Sequence, residues 1–375
     1  MRRGCLAALL LCFLLALPVK ANTQAQYREQ LEAGGAADLA QQLPANAQEL
    51  MKELGLDLAA PESFTSLSGE RLMESLGTLL RQQSLGPLST AASLMAVVVL
   101  AGLFSGYGSA VSTSDLRQTY HTVTVLGATG LLLTPLAGLL QTVWQAVESV
   151  TVFLYSYIPV YAAIIGVSGG GTSALSYQST LLATAELLAT LLRTVVWPCL
   201  TVALALGCIG AVTEGFRLDA ISNAVHKLIL WGMGLFSSVF TWVLSTQQMV
   251  ARAGDTLGSR AMKFSLSSFV PVVGGALSEA YSTVLGCAGL LRSTVGVFGV
   301  AAVILTVLPP LVGCVCWSLC LQVSGVAAGL FRLSALESLF RAVSGAVRVL
   351  IAVMAMLALL MVVSTSVVAF VGKGV

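Results

Sequence analysis

Five ionisable residues stand inside or beside apolar stretches of this sequence: Glu148, Glu186, Arg193, Glu279 and Arg292. A charge at membrane depth costs on the order of 2.5–3.5 kcal/mol on insertion scales, so such residues pair, face water or line a path for a polar substrate. Glu186 and Arg193 are seven residues apart, two helical turns along one face. That spacing is long for a direct contact within one helix but suits a shared polar stripe. Two readings stay open for the pair, a structural ion pair and the lining of a conduit. Glu148 and Arg292 read as the ends of spans.

Other residue types that do chemistry are sparse. The two histidines, His121 and His226, read at junctions between loop and span, and neither has a cysteine partner or an acid and serine nearby. That excludes a hydrolytic triad and a metal centre. Of the eight cysteines, Cys316 and Cys320 share a helical face at i, i+4, with no histidine or carboxylate to complete a ligand set. They read as small apolar packing. The segment GGGTS, residues 169–173, lacks the lysine of a phosphate loop and follows no buried strand. The sequence therefore predicts no catalytic residue, no metal and no cofactor.

The elements that must carry these residues are membrane helices. Hydrophobic residues make up 57% of the 375 positions and charged residues 10%, against roughly 45–50% and 25% in a soluble domain. A net charge of +2 with no basic block excludes nucleic-acid binding. Residues 1–21 have Arg2 and Arg3, a short apolar core, Pro18 and a small residue at Ala21, the layout of a secretory signal peptide. An uncleaved anchor is the alternative. Residues 22–88 carry nine acids against four bases, with leucine and methionine at three- and four-residue spacing. They read as a short exported segment of amphipathic helices, too poor in bulky apolar residues to fold alone and expected to pack on the membrane body or a partner.

Residues 89–375 read as an all-α polytopic membrane domain of roughly six to eight segments. About 20 apolar residues cross the hydrocarbon as helix, which predicts spans at 88–110, 122–143, 149–167, 228–246 and 349–371. Two further apolar stretches, 177–212 and 293–330, are too long for one ordinary span and carry Pro198 and Pro309-Pro310. Each is either a hairpin of two spans or one span continuing into a kinked helix. Lysine and arginine bias places Arg117, the connector 252–263 and the segment 331–348 on the cytoplasmic side, with the N-terminal segment and the C-terminus outside. Arg332, Arg341 and Arg348 interleaved with leucines predict a basic amphipathic helix on the inner membrane face.

Two stretches run serine, aromatic, Ile/Val, proline, valine and then reach glycines. The first holds Pro159 and then Gly169, Gly170 and Gly171; the second holds Pro271 and then Gly274 and Gly275. They read either as turns and close approaches between spans or as paired helix breaks facing a polar path, the arrangement that marks midplane sites in inverted-repeat transporters.

Residues 240–296 contain Lys263-Phe264, Phe269-Val270-Pro271-Val272-Val273-Gly274, Glu279-Ala280, Thr283-Val284-Leu285-Gly286 and Val295-Gly296. On these motifs, and on Pro159-Val160 followed by residues 168–173, the chain resembles the stage III sporulation protein AE family of endospore-forming bacteria. The resemblance implies a non-enzymatic membrane component of the transenvelope channel or secretion-like assembly linking mother cell and forespore, needed for forespore development. It also implies the mother-cell membrane around the forespore as location. The implied partners are the other proteins of the same sporulation operon, including a secretion-type ATPase and ring-forming membrane proteins, together with membrane lipid. The alternative, from another class, is a secondary transporter with a midplane site at the two proline–glycine breaks, coupled through Glu186 or Glu279.

Overall fold

The computed structural model describes residues 31–32, 35–58, 60, 62–65, 69–111, 114–212, 218–269 and 274–372. The signal peptide expected at 1–21 lies outside them. After a 3-10 turn at Ala37–Gln42 come α1 (Ala45–Glu53), α2 (Gly69–Val111) and α3 (Ser114–Val167). Next is α4 (Gly171–Leu191), which passes through a π-helical turn, Leu192–Val196, into α5 (Trp197–Val212). The chain ends in α6 (Leu218–Phe269), α7 (Gly274–Leu330) and α8 (Ser334–Gly372). Among the described residues there is no strand. With α4 and α5 taken as one continuous unit, six helices are long and apolar enough to cross a membrane, so the all-α polytopic expectation holds at the low end of its range.

Some of these readings are corrected and others resolved. The predicted spans 122–143 and 149–167 are one helix, α3. The interval between them contains no glycine or proline, and Gln145 and Glu148 sit on its exposed face, so nothing in it stops a helix. Each of the two long apolar stretches follows the second of its two open readings, one continuous passage, and not the hairpin. Before Pro198 the Trp197 N–H bonds the Leu192 carbonyl, five residues back; the widened turn makes room for the proline ring and absorbs its missing donor. Pro309 and Pro310 lie within α7. Helices α2, α3 and α7 meet at Gly313, where a Cβ would lie 3.3 Å from Gln83 Oε1 and 4.0 Å from Leu139 Cδ1. Pro87 and Pro135 fall about one turn from there toward one end of the bundle, and Pro309-Pro310 about one turn toward the other.

A further correction concerns residues 331–348, expected as a helix lying on the membrane face. Residues 334–348 are the first turns of α8, with Leu336, Leu339, Phe340, Val343 and Val347 buried. Arg341 and Arg348, seven apart, occupy a narrow exposed stripe, and Arg341 pairs with Glu337. The remaining circumference is apolar and packs. One contact is intimate: a Cβ on Gly207 of α5 would come within 2.4 Å of Ala342 Cβ. The predicted connector 252–263 likewise lies inside α6. It stands at the end of the bundle where α3 meets α4, whereas Phe331 abuts Gly102 near the α2–α3 connection, at the other end. The two basic segments expected on one side therefore stand at opposite ends of α3, which loop charge alone could not resolve.

Of the two expected supports for the N-terminal segment, the described residues pack on the body. Leu39, Leu43, Leu50, Met51, Leu54 and Leu58 are buried in the same hydrophobic core as the long helices. Glu49 and Glu53 on the other face of α1 line a cleft of about 550 Å³, closed by Gln82, Gln145, Pro309 and Pro310. No break separates the segment from the membrane domain near residue 88, because α2 runs through that position.

The α7–α8 hairpin turns on Arg332, whose φ is +56°. The Leu333 N–H bonds the Ala328 carbonyl at 2.9 Å and the Arg332 N–H the Gly329 carbonyl at 3.0 Å, the helix-ending pattern that ordinarily places glycine in the left-handed position. A side chain there costs on the order of 1 kcal/mol. Arg332→Gly is expected to raise the thermal unfolding midpoint slightly; a fall would mean that the arginine side chain holds the turn through its own contacts.

Candidate functional site

The glycine segment is the connection between two spans. At the end of α3 the Gly170 N–H bonds the Ile165 carbonyl at 3.1 Å and the Gly169 N–H the Gly166 carbonyl at 3.1 Å. Gly169 has a φ of +89°, a region that favours glycine. Helix α4 then begins without a capping side chain of its own. Its cap comes from α6: the Thr172 N–H donates to Asp255 Oδ1 at 2.7 Å and the Ser173 N–H to Oδ2 at 3.0 Å. A carboxylate at a helix N-terminus satisfies orphan donors and meets the positive end of the dipole. Pro159 lies two turns earlier, exposed, within an uninterrupted α3. Pro271 is outside the described residues, and Gly274 and Gly275 open α7, so this second segment also falls where one long helix gives way to the next.

Below the glycine turn the bundle encloses a polar core. Tyr157, Tyr161 and Tyr177 are fully buried. The rings of Tyr157 and Tyr161 stack with centroids 5.3 Å apart, and Tyr177 meets Tyr161 edge-on at 5.3 Å. Helix α7 makes room by lacking side chains: a Cβ on Gly296 would lie 2.7 Å from the Tyr161 hydroxyl, and one on Gly299 would lie 2.4 Å from Tyr157 Cζ. The Tyr157 hydroxyl donates to the Val295 carbonyl at 3.3 Å. Arg292 faces the Tyr161 hydroxyl and donates through Nη2 to the Val368 carbonyl at 2.7 Å.

Several buried atoms in and around this core have no hydrogen-bond partner among the described residues: Ser173 Oγ, the Tyr177 hydroxyl, both amide atoms of Gln248, and Arg292 Nε. Ser364 Oγ faces the Tyr177 hydroxyl outside hydrogen-bond geometry and itself donates to the Met361 carbonyl at 2.9 Å. Buried polar groups are normally satisfied, so this interior has spare hydrogen-bonding capacity for water or for a polar chain. It holds nothing that would act as a nucleophile with a base.

The charged residues singled out by the sequence lie elsewhere. Glu186 is exposed and accepts a hydrogen bond from the Tyr155 hydroxyl. Arg193 is exposed and sits 5.9 Å from the Trp144 ring centroid, a cation–π distance. The two do not pair with each other. Glu279 belongs to α7, and its side chain lies outside the described set. His226 is buried inside α6 and not at its end, with its ring against Gly345 of α8. Among the described residues no group of three or more His, Cys, Asp or Glu side chains could hold a metal. Sequence reasoning missed Asp255, Ser173, Gln248 and the tyrosines. The available signal was Tyr157 and Tyr161 at i, i+4, followed by glycines three apart at 296 and 299.

Six apolar helices around a buried polar core define a multi-pass membrane protein. The chain belongs to the stage III sporulation protein AE family, whose profile matches residues 61–372. It is 28% identical over 160 residues to Stage III sporulation protein AE of Bacillus subtilis (strain 168), an alignment covering 43% of this chain and 40% of that protein. No solved structure matches. The family expected from residues 240–296 is thereby established.

Proposed function

We propose that the chain is a non-enzymatic membrane core component of the transenvelope assembly between mother cell and forespore, acting as part of a channel or secretion-like apparatus. In this reading it lies in the mother-cell membrane around the forespore, with its N-terminal segment extracytoplasmic. It works with the other proteins of the same operon, including a secretion-type ATPase and ring-forming membrane proteins. Membership of a sporulation family supports the setting. The observation that carries the mechanism is the set of unpartnered polar atoms at Ser173, Tyr177 and Gln248 inside an apolar bundle. An inert anchor gains nothing from such atoms, because each unsatisfied buried group costs about 1–3 kcal/mol. A conduit or gate uses them when water or a polar chain enters. The mid-span site that a secondary transporter needs is not formed at Gly169, Gly170 and Gly171, which connect two helices.

Ser173→Ala, Tyr177→Phe and Gln248→Leu remove these atoms at nearly constant volume. Folding is expected to be unharmed or improved. Heat-resistant spore counts are expected to fall at least tenfold, while co-purification with the operon partners persists. Wild-type spore counts in all three variants would sink the conduit reading and leave a scaffold.

A further inference from the structure

A groove between α6 and α8, on the outside of the bundle, is unexplained by the interior site. It encloses about 570 Å³ and is lined by Ser245, Met249, Arg252, Val362, Val363 and Val367, with Ser366. Its walls are mainly apolar, with two serines, one cation at Arg252 and no carboxylate. The acid best placed to neutralise that cation, Asp255 one turn on, is already held by the Thr172 and Ser173 amides, and no ion pair of Arg252 occurs among the described residues. Arg252 also ends a run, residues 228–251, without Asp, Glu, Lys or Arg. At 1.5 Å per residue that run is about 36 Å long, close to the thickness of the hydrocarbon, so the guanidinium stands at headgroup depth.

We propose that this groove binds one anionic phospholipid, with an acyl chain along Met249, Val362, Val363 and Val367 and the phosphate at Arg252. An arginine recognises phosphate through its planar donor fork, and basic positions between membrane helices select anionic headgroups. The dimensions favour a lipid over a partner helix. The lining spans residues 245–252 and 362–367, about 10 Å of each helix, whereas a packed transmembrane helix needs an interface several turns long.

The full chain, purified in detergent, would be challenged with phosphatidylglycerol or phosphatidylcholine and read by native mass spectrometry. Retention of one phosphatidylglycerol, preferred over phosphatidylcholine, is expected. Arg252→Gln is expected to weaken the preference about fivefold, the effect of roughly one basic residue at a membrane surface, and Arg252→Lys to keep most of it. Val363→Trp, which fills the groove, is expected to abolish retention while thermal unfolding stays cooperative. Equal retention of both lipids, or a preference untouched by Arg252→Gln, overturns the proposal. So does cross-linking between copies through Val363→Cys, which would make the groove a self-association surface.

Discussion

Gly299→Ala is expected to destabilise the protein by about 2–3 kcal/mol, whereas Gly289→Ala ten residues earlier on the same helix should stabilise it by up to about 1 kcal/mol. The two substitutions are chemically identical and differ only in surroundings. A methyl at 289 meets nothing within 4 Å and gains helix propensity. A methyl at 299 would lie 2.4 Å from Tyr157 Cζ, 2.5 Å from Tyr157 Cε2 and 2.6 Å from Met361 Cε. Met361 is flexible and can yield. Tyr157 cannot, because its ring is fully buried between Phe153, at 5.5 Å, and Tyr161, at 5.3 Å, and overpacking a filled core costs about 1–3 kcal/mol. Any shift of Tyr157 passes through the stack to Tyr161 and Tyr177, so spore formation should fail with stability. Tyr157→Leu in the Gly299→Ala background removes the ring that clashes, and a double-mutant cycle should return a favourable coupling of about 1 kcal/mol or more. Thermal or denaturant unfolding in detergent decides this. Equal effects at 289 and 299 would mean that α7 does not pack on the tyrosine column.

The helices were legible because apolar runs far above the length of an ordinary core helix leave few alternatives. Their boundaries were less so, for reasons that differ from place to place. Pro198 and Pro309-Pro310 look like stops in a sequence. A π turn at Leu192–Val196 and the cover of neighbouring helices let the chain continue, and neither is visible locally. Between the expected spans 122–143 and 149–167, Gln145 and Glu148 form an exposed stripe within one long helix. Charge drew attention to Glu186 and Arg193, which the fold leaves exposed on separate aromatic partners. The interior is instead built from tyrosine, serine and glutamine, uncharged residues that a search for charges at membrane depth passes over. Their convergence depends on α3, α4, α6, α7 and α8 meeting, which is long-range information. Gly169, Gly170 and Gly171 were legible as a break, but the residue that closes it, Asp255, lies 83 positions from Thr172.

Asp255→Ala is expected to cost about 2 kcal/mol, since it removes a carboxylate that accepts two backbone N–H groups at the start of α4. Asp255→Asn keeps one acceptor oxygen and should cost about half as much. Hydrogen exchange at residues 172–175 should accelerate in both, and more in the alanine variant. The same contact offers a covalent substitute. A Cβ on Gly254 would lie 3.8 Å from Thr172 Cβ, the mean separation across a disulfide. Thr172→Cys with Gly254→Cys is therefore expected to cross-link on oxidation and to restore the stability lost in Asp255→Ala. Its effect on spore formation separates two mechanisms. If α4 must part from α6 for the polar core at Ser173, Tyr177 and Gln248 to admit water or a polar chain, the oxidised protein will be stable, present in the membrane and inactive, and reductant will restore it. If the oxidised protein supports wild-type sporulation, the α4–α6 contact is static and the core does not open along that seam.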